Sequence, residues 1–176
     1  MMYNVAMRQV MDETVIRRAL VRIAHEIVEQ NKKMSSIVLI GVNNKGEYLA
    51  KLLCEQLKLI EGKSISWCGF DTTYFRDDVD ARNLSPDTLL VNVVNKTVIL
   101  VDDMLSTGRT ARAAIDGVMH FGRPKAIQLV ALIDCGKREL PIRADYVGKN
   151  IPVAIGEKVV IKLQTKDNSD GVYIKG

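Results

Sequence analysis

The sequence predicts an α/β protein whose mainly parallel, twisted sheet is flanked by helices. Short runs rich in Val, Ile and Leu alternate along the chain with amphipathic helical stretches, as they do in βαβ units. These short runs are apolar throughout and do not alternate with polar residues. Strands have this composition when helices cover both faces of their sheet.

The composition predicts one folded domain. The chain has 176 residues, of which 47% are hydrophobic and 26% charged. This composition is typical of globular proteins, and the length is enough for one substantial core. We therefore expect residues 1–176 to form a single domain. The formal net charge of +4 permits a polyanionic partner without requiring one.

Cysteine use and the lack of long apolar runs predict a cytoplasmic protein without a membrane partner. The three cysteines are far apart, at Cys54, Cys68 and Cys135. An odd number without close pairs argues against a disulfide framework and a paired-cysteine metal site. The N-terminal residues lack the basic and apolar segments of a signal peptide. No apolar run approaches the roughly 20 residues that a membrane-spanning helix needs.

Two helices and two strands are predicted in the first part of the chain. Residues 12–31 form an amphipathic helix that Asp12 is suited to cap. Residues 36–42 form a buried strand, 45–60 a second helix and 64–71 a second strand. The apolar face predicted for the first helix consists of Val15, Ile16, Ala19, Leu20, Ile23, Ala24, Ile27 and Val28.

A long polar connection follows at residues 72–95. It has no clear helical or strand periodicity. A connection of this length without structure of its own is typically a lid or a mobile functional loop.

The remaining chain returns to alternating strands and helices. Residues 97–103 are predicted as a strand, 108–121 as a helix and 126–134 as a strand. A basic loop then leads to a strand at residues 157–163. The last residues, 164–176, indicate a turn and a short hairpin at the edge of the sheet.

The best candidate site follows the strand at 97–103, where the sequence reads VILVDDMLSTGRT from residue 98 to 110. Asp102 and Asp103 end the strand, and ligands of parallel α/β sheets bind beyond that end. A short loop then opens a helix, where backbone N–H groups, hydroxyls and an arginine can hold a phosphate. Gly108 allows the backbone to approach the anion closely. The loop consists of Ser106, Thr107, Gly108, Arg109 and Thr110.

The two carboxylates indicate which kind of phosphate-containing ligand the site would bind. They would repel a phosphate unless ribose hydroxyls, or Mg²⁺ held by those hydroxyls, lay between them. The pattern therefore predicts a site for a phosphorylated sugar. The alternative is that the aspartates only end a strand and Thr107 only caps a helix, but the complete pattern favours the functional interpretation.

VILVDDMLSTGRT resembles the 5-phosphoribosyl-1-pyrophosphate (PRPP) signature of the type I phosphoribosyltransferases. TVIRRALVRIAHEIVEQN, YFRDD, GRPKAIQLVALID and RELPIRADYVGKNIP resemble bacterial regulators of pyrimidine operon attenuation that are also uracil phosphoribosyltransferases. The resemblance extends from about residue 14 to residue 163, and RELPIRADYVGKN is its most specific part. It implies the type I phosphoribosyltransferase fold, with a flexible hood loop at about residues 72–95.

The resemblance implies the conversion of uracil and PRPP to UMP and pyrophosphate. Mg²⁺ would arrive with PRPP and would not be bound directly by protein ligands. Asp102 and Asp103 would hold the ribose hydroxyls, and Arg76 would help to close the hood over the leaving group. The PRPP and nucleotide residues would be Asp102, Asp103, Met104, Ser106, Thr107, Gly108, Arg109 and Thr110.

The resemblance places pyrophosphate on the loop after the first predicted strand. Its residues would be Asn43, Asn44, Lys45 and Gly46, with Lys45 supplying the positive charge. The family usually has Thr-Arg-Gly where this chain has Asn44-Lys45-Gly46. Lysine lacks the bidentate geometry of arginine, which predicts weaker pyrophosphate binding. The alternative is that Lys45 is a solvated residue at a helix start.

The resemblance also implies binding to pyr leader mRNA under the control of UMP and UTP, by a homodimer or a larger homo-oligomer. Two basic clusters could form one RNA surface if they converge, with phosphate contacts supplying most of the affinity. The alternative for the helical cluster is a solvated charged face. The residues are Arg18, Arg22, His25, Lys137, Arg138, Arg143 and Lys149.

Departures from the family pattern leave two other functions open. Lys45, Ser106 and Cys135 stand where Arg, Tyr and Arg are usual, which favours a nucleotide-sensing RNA regulator with weak or no transferase activity. Val21, Gln30 and Lys137 stand where Thr, Arg and His are usual. These favour a phosphoribosyltransferase for another base without an RNA role.

Overall fold

A computed structural model describes residues 7–164 and 169–176. The elements are β1 (Met7–Asp12), α1 (Glu13–Gln30), β2 (Ile37–Val42), α2 (Asn43–Glu61), β3 (Ser66–Phe70), β4 (Thr97–Leu105), α3 (Arg109–Phe121), β5 (Ala126–Asp134), β6 (Tyr146–Asn150), β7 (Lys158–Lys162) and β8 (Gly171–Lys175). Short 3₁₀ turns lie at Met34–Ser36, Thr73–Phe75 and Ala81–Asn83.

The main sheet has five parallel strands in the order β3-β2-β4-β5-β6. Successive side chains of a strand point to opposite faces. Leu39 and Ile99 accordingly pack with α1 and α2, whereas Ile40 and Leu100 pack with α3. The predicted α/β class is confirmed, and helices cover both faces of the sheet.

The first helix is confirmed with one correction to its apolar face. The Asp12 carboxylate accepts a hydrogen bond from the backbone N–H of Val15 at 2.8 Å, which is the predicted cap. Val15 itself was assigned to the buried face and is exposed. It lies in the first turn of α1, where its side chain does not reach the core.

The sequence does not predict two of the strands, β1 and β6. β1 was missed because MRQVMD is largely polar and exposed. It pairs antiparallel with β8, which also pairs with β7. The C-terminal hairpin is therefore confirmed but belongs to a separate three-stranded sheet, and residues 165–168 of its turn lie outside the described residues. β6 was assigned to the basic loop because YVGKN contains glycine and charge, yet it pairs with β5.

Residues 72–95 contain two short 3₁₀ turns, and the segment includes neither an α-helix nor a strand. Their irregular sequence predicts this. The segment is not detached from the core, since Phe75 and Val93 pack into the cluster on the α3 face of the sheet. Its N-terminal root therefore lies beside the helix that follows β4. Whether it moves as a hood remains a prediction.

In the described residues, no helix combines the length and apolar character that crossing a membrane requires.

Candidate functional site

Asp102 and Asp103 lie on β4 at the C-terminal edge of the main sheet. The strand continues to Leu105, so the two carboxylates do not follow the strand but lie within its last residues. Asp102 is 6% exposed. The backbone N–H of Asp103 donates to Oδ1 of Asp102 at 2.9 Å. The strand therefore holds two carboxylates side by side, one buried and the other partly open to solvent.

Burial raises the pKa of Asp102 well above its ordinary value, and the neighbouring charge of Asp103 raises it further. The backbone N–H of Asp103 and the ammonium of Lys45 oppose this rise in pKa only in part. Asp102 therefore holds a proton more readily than an exposed aspartate does. A ligand that donates hydrogen bonds to both carboxylates would favour the ionised pair.

Lys45 connects the carboxylate pair to the small sheet. Its Nζ donates to the backbone carbonyl of Ile161 on β7 at 2.8 Å and lies 3.5 Å from Oδ2 of Asp103. Although its side chain is 45% exposed, Lys45 is not merely a solvated residue at a helix start. Its ammonium lies between the carboxylate of Asp103 and the β7 carbonyl of Ile161.

The segment Asn43, Asn44, Lys45 and Gly46 is the first turn of α2 and not a loop, which corrects the sequence interpretation. Asn43 has a φ of 55°, so the chain turns from β2 directly into the helix. Oδ1 of Asn43 accepts hydrogen bonds from the backbone N–H and the hydroxyl of Thr72. The start of α2 is thereby fixed to the root of segment 72–95.

Gly46 allows α2 to lie close to β4. A Cβ atom at this position would lie 2.3 Å from the carbonyl oxygen of Val101, which is impossible without a backbone shift. The glycine thus brings Lys45 within reach of the neighbouring carboxylates. Asn44 is exposed at the same helix start.

The candidate phosphate loop runs from Ser106 to the first turn of α3. Gly108 caps the helix with a φ of 92°, a backbone conformation that residues with a side chain rarely adopt. The hydroxyl of Thr107 accepts from the backbone N–H of Arg109 at 3.3 Å. Ser106 and Thr110 are partly open to solvent, as is Met104 at the preceding strand end. The loop therefore presents hydroxyls and helix N-terminal N–H groups beside Asp103.

Arg109 does not supply its charge to the loop in the way that the sequence suggested. Its guanidinium lies 2.5 Å from a carboxylate oxygen of Asp77 and 2.6 Å from one of Glu139. Arg109 therefore connects segment 72–95 to the loop that follows β5. These contacts span 32 and 30 residues, and nothing in the local sequence indicates them.

Arg76 lies at the root of the predicted hood, where the YFRDD stretch placed it. It forms an ion pair with Asp78 and donates to the hydroxyl of Thr110 at 3.3 Å. Arg112 of α3 donates to the backbone carbonyl of Phe75 at 2.8 Å. These contacts hold the hood root against the start of α3.

Arg138, which the resemblance places among the RNA-binding residues, occupies an internal position. Its side chain is 23% exposed and forms an ion pair with Asp134. It also donates to the carbonyl of Ser106 at 2.8 Å and of Ile142 at 2.6 Å. The guanidinium therefore fastens the basic loop after β5 to the candidate phosphate loop.

Backbone contacts reinforce this connection. The N–H groups of Glu139 and Leu140 donate to the carbonyl of Thr107 at 2.9 and 3.1 Å. A change in the backbone at Thr107 would consequently be transmitted to the basic loop through these hydrogen bonds.

The other residues that are predicted to bind RNA form two groups. Arg18 and His25 are exposed on α1, while Arg22 donates to the carbonyls of Val147 and Gly148 on β6 at 3.0 and 2.7 Å. Arg22 therefore brings the basic face of α1 to the strand that carries exposed Lys149.

The second basic group lies on the loop after β5. Lys137 and Arg143 are exposed there. Arg143 lines a cavity of about 390 Å³ at the C-terminal ends of β5 and β6. The cavity is lined by Asp134, Gly136, Arg138, Arg143, Ala144, Asn150 and Pro152. It is an open space beside both the phosphate loop and the basic surface, and the sequence did not identify it.

The comparisons with known proteins agree with this geometry. The family model of the phosphoribosyl transferase domain matches residues 8–165. Bifunctional protein PyrR of Lactococcus lactis is 46% identical over 170 residues, which cover 97% of this chain and 98% of that protein. Bifunctional protein PyrR of Bacillus subtilis is 47% identical over 171 residues, which cover 94% of each chain. The chain belongs to the PyrR family of phosphoribosyltransferases.

Solved structures of other phosphoribosyltransferases share the fold of this PyrR-family chain. The hypoxanthine phosphoribosyl transferase of Trypanosoma cruzi has a TM-score of 0.75 at 20% identity, over 100% of this chain and 94% of its own. A hypoxanthine-guanine phosphoribosyltransferase of Bacillus anthracis has a TM-score of 0.73 at 20% identity, over 98% of both chains. The type I phosphoribosyltransferase fold is thus confirmed. Its family makes this chain a phosphoribosyltransferase, which is a kind of glycosyltransferase.

Proposed function

We propose that the protein converts uracil and PRPP to UMP and pyrophosphate and regulates pyrimidine biosynthesis by binding pyr leader mRNA. The observation that carries the proposal is the direct connection between the two candidate sites. The guanidinium of Arg138 donates to the carbonyl of Ser106, and the carbonyl of Thr107 accepts from two backbone N–H groups of the basic loop. A family whose members are named bifunctional requires such a connection if nucleotide binding is to control RNA binding.

In the proposed mechanism, the chain mainly positions the reactants. Asp102 and Asp103 accept hydrogen bonds from the ribose hydroxyls. The hydroxyls of Ser106, Thr107 and Thr110, with the N–H groups at the start of α3, hold the 5′-phosphate. As pyrophosphate departs, positive charge develops at the anomeric carbon, and the nearby carboxylates stabilise it.

Lys45 is proposed to bind the departing pyrophosphate, with Asn43, Asn44 and Gly46 shaping the helix start around it. The ammonium must first loosen its contact with Asp103, 3.5 Å away, so that the ribose hydroxyls can bind there. Arg76 then helps to hold segment 72–95 over the reaction. Arg109 acts here through Asp77 and Glu139 and not as a phosphate ligand.

The residues at the site suit Mg²⁺ that is carried by PRPP. Phosphate and hydroxyl oxygens of PRPP would be the ligands of Mg²⁺, and Asp102 and Asp103 would bind the ribose hydroxyls beside it. No group of three or more His, Cys, Asp or Glu side chains that could hold a metal alone occurs within residues 7–164 and 169–176. Bound Mg²⁺ would neutralise the charge of the pyrophosphate.

RNA is proposed to lie across α1, β6 and the basic loop. Arg18, His25, Lys137, Arg143 and Lys149 would contact it, and charge-based phosphate contacts would make binding strongly salt-dependent. Arg22 and Arg138 would position this surface, since their guanidiniums already bind carbonyls of the chain. UMP or UTP in the phosphate loop would alter the surface through Thr107.

A second candidate is an RNA regulator that senses nucleotides with little or no turnover. The contact of Lys45 with both Ile161 and Asp103 favours it, because the ammonium is held away from a free pyrophosphate. A phosphoribosyltransferase for another base without an RNA role is a third candidate. We also propose a cytoplasmic homodimer or larger homo-oligomer, in line with the free thiols of the described cysteines.

RNA binding measured with and without UMP tests the proposed link. Fluorescence anisotropy of a labelled pyr leader hairpin should show tighter binding when UMP is present. Asp102→Asn/Asp103→Asn should keep basal RNA binding and lose this response, because the ribose is no longer held. RNA binding that ignores UMP in the unsubstituted protein would contradict the regulatory half of the proposal.

A further inference from the structure

A cluster of cations lies at the N-terminal edge of the main sheet, at the opposite end from Asp102. The first residues of β2, β4 and β5 are adjacent, since Ile37 pairs with Thr97 and Thr97 with Ala126. Basic residues precede each of these strands. We call them the lysine edge, which consists of Lys32, Lys33, Lys96, Arg123 and Lys125.

Hydrogen bonds hold the three segments of the lysine edge together. The backbone N–H of Lys125 donates to the carbonyl of Lys96 at 2.8 Å. Nζ of Lys96 donates to the carbonyl of Ser35 at 3.2 Å. The pairing of the strand starts brings the backbones of the three segments together, and the Lys96 side chain adds one further bond.

No residue of the lysine edge forms an ion pair within residues 7–164 and 169–176. Lys32, Lys33, Arg123 and Lys125 are also exposed. Elsewhere in these residues, carboxylates pair with Arg17, Arg22, Lys45, Arg76, Arg82, Arg109, Arg112 and Arg138. Like charges that converge without carboxylates repel one another and attract anions.

The lysine edge contains a cavity of about 310 Å³ with the lining of an anion site. Ammonium groups, amides and hydroxyls line it, and no carboxylate does. The lining residues are Gln30, Asn31, Lys32, Lys33, Ser36, Thr97 and Lys125. The Ser36 hydroxyl donates to the Lys33 carbonyl, so the ammonium groups of Lys32, Lys33 and Lys125 are the donors that suit phosphate oxygens, which accept hydrogen bonds and carry negative charge.

We propose that the lysine edge is a second phosphate-binding surface, separate from the loop that would hold the 5′-phosphate of PRPP. Its phosphate chemistry suits two sources, the backbone of the bound RNA and a free nucleoside triphosphate. The RNA source rests on the proposed RNA-binding function. The two sources make different predictions for the same substitutions.

The position of the lysine edge relative to α1 connects it to the proposed RNA surface. Lys32 lies two residues beyond the end of α1, whose exposed face carries Arg18 and His25. At 1.5 Å per residue, Arg18 and Lys32 are separated by roughly 21 Å along the helix direction. This is well within the reach of one RNA hairpin, because double-stranded RNA is commonly contacted over about 16 base pairs.

The test compares two triple variants that remove the same charge. Lys32→Gln/Lys33→Gln/Lys125→Gln changes the lysine edge. The matched control, Lys51→Gln/Lys58→Gln/Lys63→Gln, changes exposed lysines that also lack ion pairs in the described residues. Both variants should keep the transferase rate of the unsubstituted protein, which verifies their fold.

The first readout is the affinity for a fluorescein-labelled pyr leader hairpin between about 50 and 200 mM salt. If the backbone binds here, the lysine-edge variant should lose about tenfold or more in affinity at low salt. Its log–log salt slope should fall by roughly two to three, because three phosphate contacts are lost. The control should change by less than about twofold.

The second readout is the number of UTP molecules bound per chain, by calorimetry. A loss of one UTP in the lysine-edge variant, with RNA affinity unchanged, would assign the surface to free nucleotide. Equal behaviour of the two variants in both readouts would overturn the proposal. If the unsubstituted protein does not bind the hairpin, the RNA half of the proposed function fails, and UTP stoichiometry alone decides the lysine edge.

Discussion

At the scale of single residues, the Asp102 carboxylate that would bind the ribose is also one whose ionisation lowers the stability of the folded protein. Burial and the charge of Asp103 raise the pKa of this carboxyl well above its ordinary value. A carboxyl whose pKa is raised by folding stabilises the native state only while it keeps its proton. That contribution is complete below the unfolded pKa and is lost as the pH rises through the native pKa.

Asp102→Asn is therefore expected to stabilise the ligand-free protein, and more at about pH 8 than at about pH 4. The amide cannot ionise, so the cost of a buried charge disappears at high pH. Urea denaturation at the two pH values measures the difference. Asp80→Asn is the control, because its exposed carboxylate binds Arg82 and its pKa lies below the ordinary value. A substitution at Asp102 that destabilises the protein equally at both pH values would contradict this account.

Asn43 combines an unusual backbone conformation with a long-range hydrogen bond. Its φ of 55° is rare for residues other than glycine, and Oδ1 accepts from the buried Thr72. Asn43→Ala loses both features and should lower the free energy of unfolding by about 1–3 kcal/mol. Asn43→Gly loses only the acceptor and should be less destabilising than alanine.

Urea denaturation of the two Asn43 variants separates conformation from hydrogen bonding. If alanine and glycine were equally destabilising, the positive φ would contribute nothing. If both were neutral, Asn43 would not anchor the root of segment 72–95.

At the scale of elements, the connection between the phosphate loop and the basic loop joins the two proposed activities. Arg138→Gln removes donors to Ser106, Ile142 and Asp134. We expect a severalfold higher KM for PRPP together with weaker RNA binding, because both loops lose the same support. Lys137→Gln removes the same charge from an exposed neighbour and should leave the KM for PRPP unchanged.

Steady-state kinetics and RNA anisotropy on both variants test this expectation. A loss of RNA binding in Arg138→Gln with an unchanged KM would mean that Arg138 is an RNA contact after all.

The elements that the sequence predicted are those with strong local patterns. α1 has both a capping residue and helical periodicity, and β5 is a mainly apolar run whose predicted bounds match the structure. β6 and β1 have weak local patterns, since their strand form depends on pairing with β5 and β8. Residues 43–46 have the composition of a turn, and nothing in their sequence indicates that α2 begins at Asn43 with a positive φ directly after β2.

The candidate site follows the same division. The carboxylates and the glycine-capped helix lie together in the sequence and could be recognised there. The partners of Arg109 and Arg138 could not, because Asp77 and Ser106 approach them only after the sheet has formed. Two arginines predicted as ligands therefore bind groups of the chain itself.

At the scale of the whole molecule, the two ends of the parallel sheet carry different sets of charged groups. The C-terminal edge presents the Asp102–Asp103 pair beside the candidate phosphate loop, and the N-terminal edge presents the lysine edge. The small sheet contributes the Ile161 carbonyl that holds Lys45 near Asp103. The arrangement places the candidate PRPP site at one end of the sheet and the proposed second phosphate-binding surface at the other.

The most direct test of the account is a turnover assay with PRPP, Mg²⁺ and a panel of bases, in which the nucleotide product is identified. We predict UMP from uracil and no product from hypoxanthine, guanine, adenine or cytosine, with activity lost in Asp102→Asn/Asp103→Asn. Product from another base alone would contradict uracil specificity. No product from any base, with PRPP still bound, would contradict the transferase claim and leave a nucleotide-sensing regulator.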